Sequence, residues 1–149
     1  MSEKFECCWM EDMNGHNLDT MSLPEIKELM IDNFVTTWTT GTGAGDTFIS
    51  GPLGDNGVML LLEPHEELGY YLRYSVTDKS GYEIDWVSMY DETKLANYVE
   101  SLATVEASEG LYLPPKLAWE AIKTFIETGK MSDKIKWVRS EDLPDEATY

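Results

Sequence analysis

Residues 69–90 read GYYLRYSVTDKSGYEIDWVSMY. Tyr70, Leu72, Tyr74 and Val76 alternate with Tyr71, Arg73 and Ser75. After Asp78-Lys79-Ser80-Gly81, a turn composition, Tyr82, Ile84 and Trp86 alternate with Glu83 and Asp85. Successive strand side chains point to opposite faces, so a period of two marks a half-buried strand. The stretch therefore predicts two antiparallel strands joined by a short turn, with one apolar face and one polar face. Working towards the N-terminus, Val58 to Leu62 is a near-continuous apolar run, as expected of a strand covered on both sides. Gly54-Asp55-Asn56-Gly57 precedes it, and Asn-Gly is the strongest short hairpin pair because both turn positions need positive φ. Asp46 to Ser50 supplies the strand before that turn. Pro64 to Gly69 reads as the connection onward.

Two helices flank these strands. Ser22 with Glu25 forms a capping box, and Pro24 lies in the first turn. Ile26, Leu29, Met30 and Phe34 give one buried stripe, ending near Val35, where the β-branched run Val35-Thr36-Thr37 begins. The second helix opens at Pro114-Pro115, where a missing N–H costs little. Leu117, Ala118, Ala121, Ile122, Phe125 and Ile126 recur at helical spacing, and Gly129 stands where a left-handed C-cap belongs. A short apolar strand follows, Ile135 to Val138, centred on Trp137. Between the sheet and this helix, residues 91–110 fit several patterns. Lys94, Leu95, Tyr98, Val99 and Leu102 suit a short helix, Thr104 to Ala107 a strand, and Ala107-Ser108-Glu109-Gly110 a turn. The fold class expected is α+β: an antiparallel β-sheet meander packed by two principal amphipathic helices. One domain spans residues 1–149, with an irregular segment over 1–21, where Asn14-Gly15 is a turn and Phe5, Trp9 and Met10 dock, and an acidic, mobile tail over 140–149. Both helices need an apolar partner, which the Tyr70/Leu72/Trp86 face offers. The opposite face is expected to be open to solvent or to a partner.

Charge narrows the function. The 149 residues hold 28 acidic and 11 basic side chains, a net charge of −17. Such a chain repels phosphate backbones, which argues against direct nucleic-acid binding. Like charge by itself keeps a protein dispersed, which is the simplest reading of the composition; the same charge also suits a basic protein partner, which it would steer into encounter. No stretch approaches the roughly 20 apolar residues of a membrane span. The opening MSEKFECCWMEDM has no apolar core of a signal peptide. Cys7 and Cys8 are adjacent and are the only cysteines, so they are expected to be reduced thiols. These features point to the cytoplasm and to no membrane partner.

Chemical motifs are absent or incomplete. His65-Glu66-Glu67 matches the H-x-E of zinc deaminases, but no P-C-x-x-C follows, so Glu66 and Glu67 read as loop carboxylates. Cys7, Cys8, His16 and His65 are a poor zinc set, because adjacent cysteines seldom supply two tetrahedral ligands. Asp55-Asn56-Gly57 lacks the oxygen ladder of a calcium loop. The run GTGAGD over 41–46 lacks G-x-G-x-x-G spacing and a following Lys-Ser/Thr, which leaves a flexible connector rather than a phosphate loop. No G-x-S-x-G elbow accompanies the two histidines. The expectation is therefore a protein with no catalytic residues, no metal and no cofactor. Trp38, Trp86, Trp119 and Trp137 read as core residues. Trp119, at the edge of the final helix's apolar stripe, is also a contact candidate.

Read as one pattern, Leu111 to Trp137 consists of prolines, an amphipathic helix ending in F-x-x-T-G at Phe125 to Gly129, a spacer and a Trp strand. This resembles the C-terminal signature of bacterial immunity protein family one. The resemblance implies a non-enzymatic cytoplasmic antidote to a polymorphic toxin, often a deaminase, bound one to one. The matching residues look structural, and the family's inhibitory surface has no motif to carry over, since such surfaces diverge with their toxins. The polar face of the meander supplies the candidates instead: Tyr71, Asp78, Glu83, Asp85 and Asp91, with Trp119, combining charge with aromatic anchors. Two other classes compete. One is a small carboxylate-dependent hydrolase or transferase, which requires a concave pocket. The other is an acidic module that mimics DNA.

Overall fold

A computed structural model gives the fold and describes residues 22–32, 47–101 and 106–147. Expectations that fall on Cys7, Cys8, His16, Phe34, Trp38, the 41–46 glycine run and residues 102–105 lie outside the described residues, as do those on 1–21. The fold is mixed α+β, with an antiparallel sheet of several strands and two helices. Strands β1 (Thr47–Leu53), β2 (Asn56–His65), β3 (Gly69–Thr77) and β4 (Glu83–Met89) lie side by side in chain order. A small separate sheet pairs β5 (Tyr98–Glu100) with β6 (Glu106–Ser108). Strand β7 (Tyr112–Leu113) adds to β3, and β8 (Lys136–Arg139) adds to the outer side of β4. The helices are α1 (Leu23–Lys27) and α2 (Pro115–Thr128).

The expected hairpin is present, but its turn is displaced. Leu53 pairs with Asn56, so Gly54 and Asp55 form the two-residue turn and Asn56-Gly57 already belongs to β2. The core sets this register. It places fully buried Ile49 opposite Leu60, whereas a turn at Asn56-Gly57 would set Ile49 against Pro64. β2 also runs further than expected: Pro64 pairs with Tyr70, and only residues 66–68 turn the chain.

Alternation along β3 decides which side each residue takes. Tyr70, Leu72 and Tyr74 are buried in the principal core with Val58, Leu60 and Leu62 of β2, Ile49 of β1, and Ala118, Trp119, Ala121, Ile122 and Phe125 of α2. Both helices thus cover the Tyr70/Leu72/Trp86 face. The two tyrosines tie the helices down through their hydroxyls. Tyr70 donates to the Met30 carbonyl at 2.7 Å and Tyr74 to the Gly129 carbonyl at 2.8 Å. Each hydroxyl satisfies a carbonyl at or beyond a helix end, where helical partners run out. Burial pushes the Tyr74 phenol above its ordinary pKa. α1 opens with the capping box: the Ser22 hydroxyl accepts from the Glu25 N–H and Glu25 accepts from the Ser22 N–H. It then widens into a π turn at Glu28–Asp32, which leaves Met30 and Ile31 buried together. α2 ends at Gly129 with φ 74°, the left-handed cap expected there.

The other face is where the sequence reading is corrected. It is not left open along its length. Residues 90–101 and 106–111 fold back over its β7 end and bury Tyr71, Val87, Met89, Leu95, Ala107, Leu111 and Tyr112 in a second core. The ambiguous stretch is a 3₁₀ turn (Glu92–Lys94) followed by β5 and, beyond 102–105, by β6 and a second 3₁₀ turn (Glu109–Leu111). The Gly110 carbonyl anchors it by accepting from Tyr90 and Asp91 N–H at 2.8 and 3.0 Å, and the Ser108 hydroxyl donates to the Leu95 carbonyl at 2.7 Å. Glu63 is buried beneath, 3% exposed, and accepts from the Ser101 hydroxyl at 3.2 Å. Burial and the Glu63 charge together push the Tyr112 phenol up. The C-terminal segment also differs from a mobile tail. Leu143 and Ala147 pack on the second core, and the Tyr98 hydroxyl donates to the Glu146 carbonyl.

Candidate protein-binding site

Side chains on the second face form rows across the strands. The row Leu61, Arg73, Val87 and Val138 marks the edge of the second core. The next row is Ser50, Met59, Ser75 and Asp85, and the last is Pro52, Gly57, Thr77 and Glu83. Apart from Asp85, these last two rows line an open concavity of about 670 Å³, edged by the β1–β2 turn at Gly54, Asp55 and Asn56. Met59 is half-buried and Pro52 exposed, so part of the surface there is apolar. Ser75 lines it while only 4% exposed.

An ion pair divides the covered half from the concave half. Arg73 Nη2 lies 2.5 Å from Asp85 Oδ2, and Arg73 Nε donates to the same oxygen at 2.7 Å. Ser140 donates to Asp85 Oδ1 at 2.7 Å. Burial acts to raise the Asp85 carboxyl, but the bonds from Ser140 and Arg73 outweigh it and hold the group below its ordinary value. Asp85 is thus a committed structural charge that fastens the start of the C-terminal segment to the sheet. Beside it, Arg139 lies over the Trp86 ring at 5.6 Å and pairs with Glu141 at 2.9 Å.

The six sequence candidates separate on this map. Glu83 is exposed and lines the concavity. Asp78 is exposed in the adjoining β3–β4 turn, where it accepts from the Ser80 hydroxyl at 2.7 Å, the Ser80 N–H at 2.9 Å and the Tyr82 N–H at 3.0 Å. Those bonds, led by the Ser80 hydroxyl, hold its carboxyl low. Asp85 is in the neighbouring row but engaged as described. Asp91 lies at the other end of β4, about 20 Å from Asp85 at strand rise. There it caps a 3₁₀ turn, accepting from the Thr93 hydroxyl at 2.6 Å and the Thr93 N–H at 3.0 Å. Tyr71 is 2% exposed in the second core, and Trp119 is 8% exposed in the first. Neither offers contact area, which corrects both expectations: Tyr71 is roofed by Leu95, Leu111 and Tyr112, and Trp119 turns inward from α2.

Two features of this surface were not singled out from sequence. Tyr82 is 61% exposed, the most exposed large apolar side chain among the described residues. Its alternation with Ile84 and Trp86 suggests burial, but it precedes the first paired residue of β4, so the sheet does not cover it. Lys79 of the β3–β4 turn pairs with Asp55 of the β1–β2 turn at 3.3 Å, and both are well exposed. Their opposite charges on two separated turns were the available signal. His65, set apart from this surface, accepts on Nδ1 from the Glu67 and Leu68 N–H groups at 3.1 and 3.2 Å, shaping the β2–β3 turn. Glu66 and Glu67 are exposed there, and among the described residues no His, Cys, Asp and Glu group is arranged to hold a metal. Among the described residues no helix is long and apolar enough to cross a membrane. Compared with protein-family models, with curated proteins and with solved structures, the chain matches none.

Proposed function

We propose that this protein is a cytoplasmic antidote that binds a basic toxin domain one to one and occludes its active cleft. The observation that carries the reading is the hairpin end of the sheet. There a concavity with apolar lining meets Glu83 and Asp55, next to the exposed Tyr82, on a chain of net charge −17. A toxin acting on nucleic acid, such as a deaminase, needs a basic cleft to hold its substrate. An acidic surface with an aromatic anchor suits such a cleft: long-range charge speeds the encounter, and the ring supplies buried contact area. The sequence resemblance of Leu111 to Trp137 to an immunity family adds to this. Those residues build the core under the sheet, so the family-like segment acts as scaffold and the contact surface lies across the sheet from it. Inhibition by occlusion requires no catalytic group and no cofactor.

The test is a purified toxin domain encoded beside this protein, mixed in stopped flow at salt between about 0.05 and 0.5 M. Association is expected to slow steeply as salt rises, and light scattering is expected to give a one-to-one complex. Equal rates at both ends of the range would remove the electrostatic argument. No binding at any salt would remove the antidote reading itself.

A further inference from the structure

We draw no further inference here: the strongest candidate, the side-chain cluster of Glu63, Ser101 and Tyr112 buried beneath the roof of the second core, where the Tyr112 hydroxyl has no hydrogen-bond partner among the described residues, carries nothing, because these groups are closed inside that core and nothing in the structure shows a ligand that would reach them.

Discussion

Ser88 joins two parts of the sheet, and removing its hydroxyl is the sharpest test of the architecture. β3 changes partner along its length: residues 73–77 pair with β4, while Tyr70 and Tyr71 pair with β7. Leu72 falls between the two and has no ladder partner on that side. Its N–H donates instead to the Ser88 hydroxyl at 3.0 Å, and that hydroxyl donates onward to the Leu111 carbonyl at 2.7 Å. Ser88 is 0% exposed, so no bulk solvent replaces it. Ser88→Ala leaves a buried N–H and a buried C=O without this partner. At about 1–3 kcal/mol for each orphaned group, and with the carbonyl retaining a second lone pair, the loss is about 2–4 kcal/mol. That is a large part of the roughly 5–15 kcal/mol that holds a domain folded. Urea unfolding followed by circular dichroism measures it, and amide exchange at Leu72 localises it. Ser140→Ala, which removes a hydrogen bond to the partly exposed Asp85 carboxylate, is the comparison, expected to cost about 1–2 kcal/mol and to leave Leu72 protection unchanged. A Ser88→Ala protein within about 0.5 kcal/mol of wild type, the range of an ordinary surface change, with unchanged Leu72 protection, would refute the splice.

Three further outcomes follow from the same contacts. The depressed Asp85 carboxyl contributes stability that is complete above the unfolded value near pH 4 and is lost as pH falls through its lower folded value; Asp85→Asn should therefore be about 1–2 kcal/mol less stable at neutral pH, with the difference closing in acid unfolding curves below about pH 4. Gly69 has φ +110° and the position of an added Cβ lies 2.0 Å from the Leu113 carbonyl oxygen, so Gly69→Ala should push β7 from β3 and cost about 3 kcal/mol or more in thermal unfolding. Leu143→Asp should release the C-terminal segment from the second core, costing about 1–2 kcal/mol by loss of its half-buried contact, with new cleavage beyond Arg139 in limited proteolysis.

How much of the site could be read beforehand follows from which forces are local. Face assignment is local: a strand side chain points opposite to its neighbours, so Leu72 and Tyr74 against Arg73 and Ser75 were separable from β3 alone. The caps of both helices were legible for the same reason, since Ser22, Glu25 and Gly129 act within a turn or so of where they stand. What covers a face is not local. Tyr71 has the same alternation as Ser75, yet it is roofed by Leu95, Leu111 and Tyr112, which arrive from the excursion after β4. Trp119 sits at the margin of the α2 stripe, and only the sheet beneath it draws it inward. The displaced hairpin turn shows how an error of one kind can leave the other reading intact. With the turn at Gly54-Asp55, Met59 faces Ser50 rather than Gly54, a slip of an even number of residues. An odd slip would have exchanged the two faces of β1 relative to β2 and set Ile49 on the polar side. The even slip keeps Met59, Ser75 and Glu83 together on one face. The composition of the concavity was therefore fixed by alternation, while its extent was fixed by the fold, through the boundary at Arg73 and Asp85 where the second core stops.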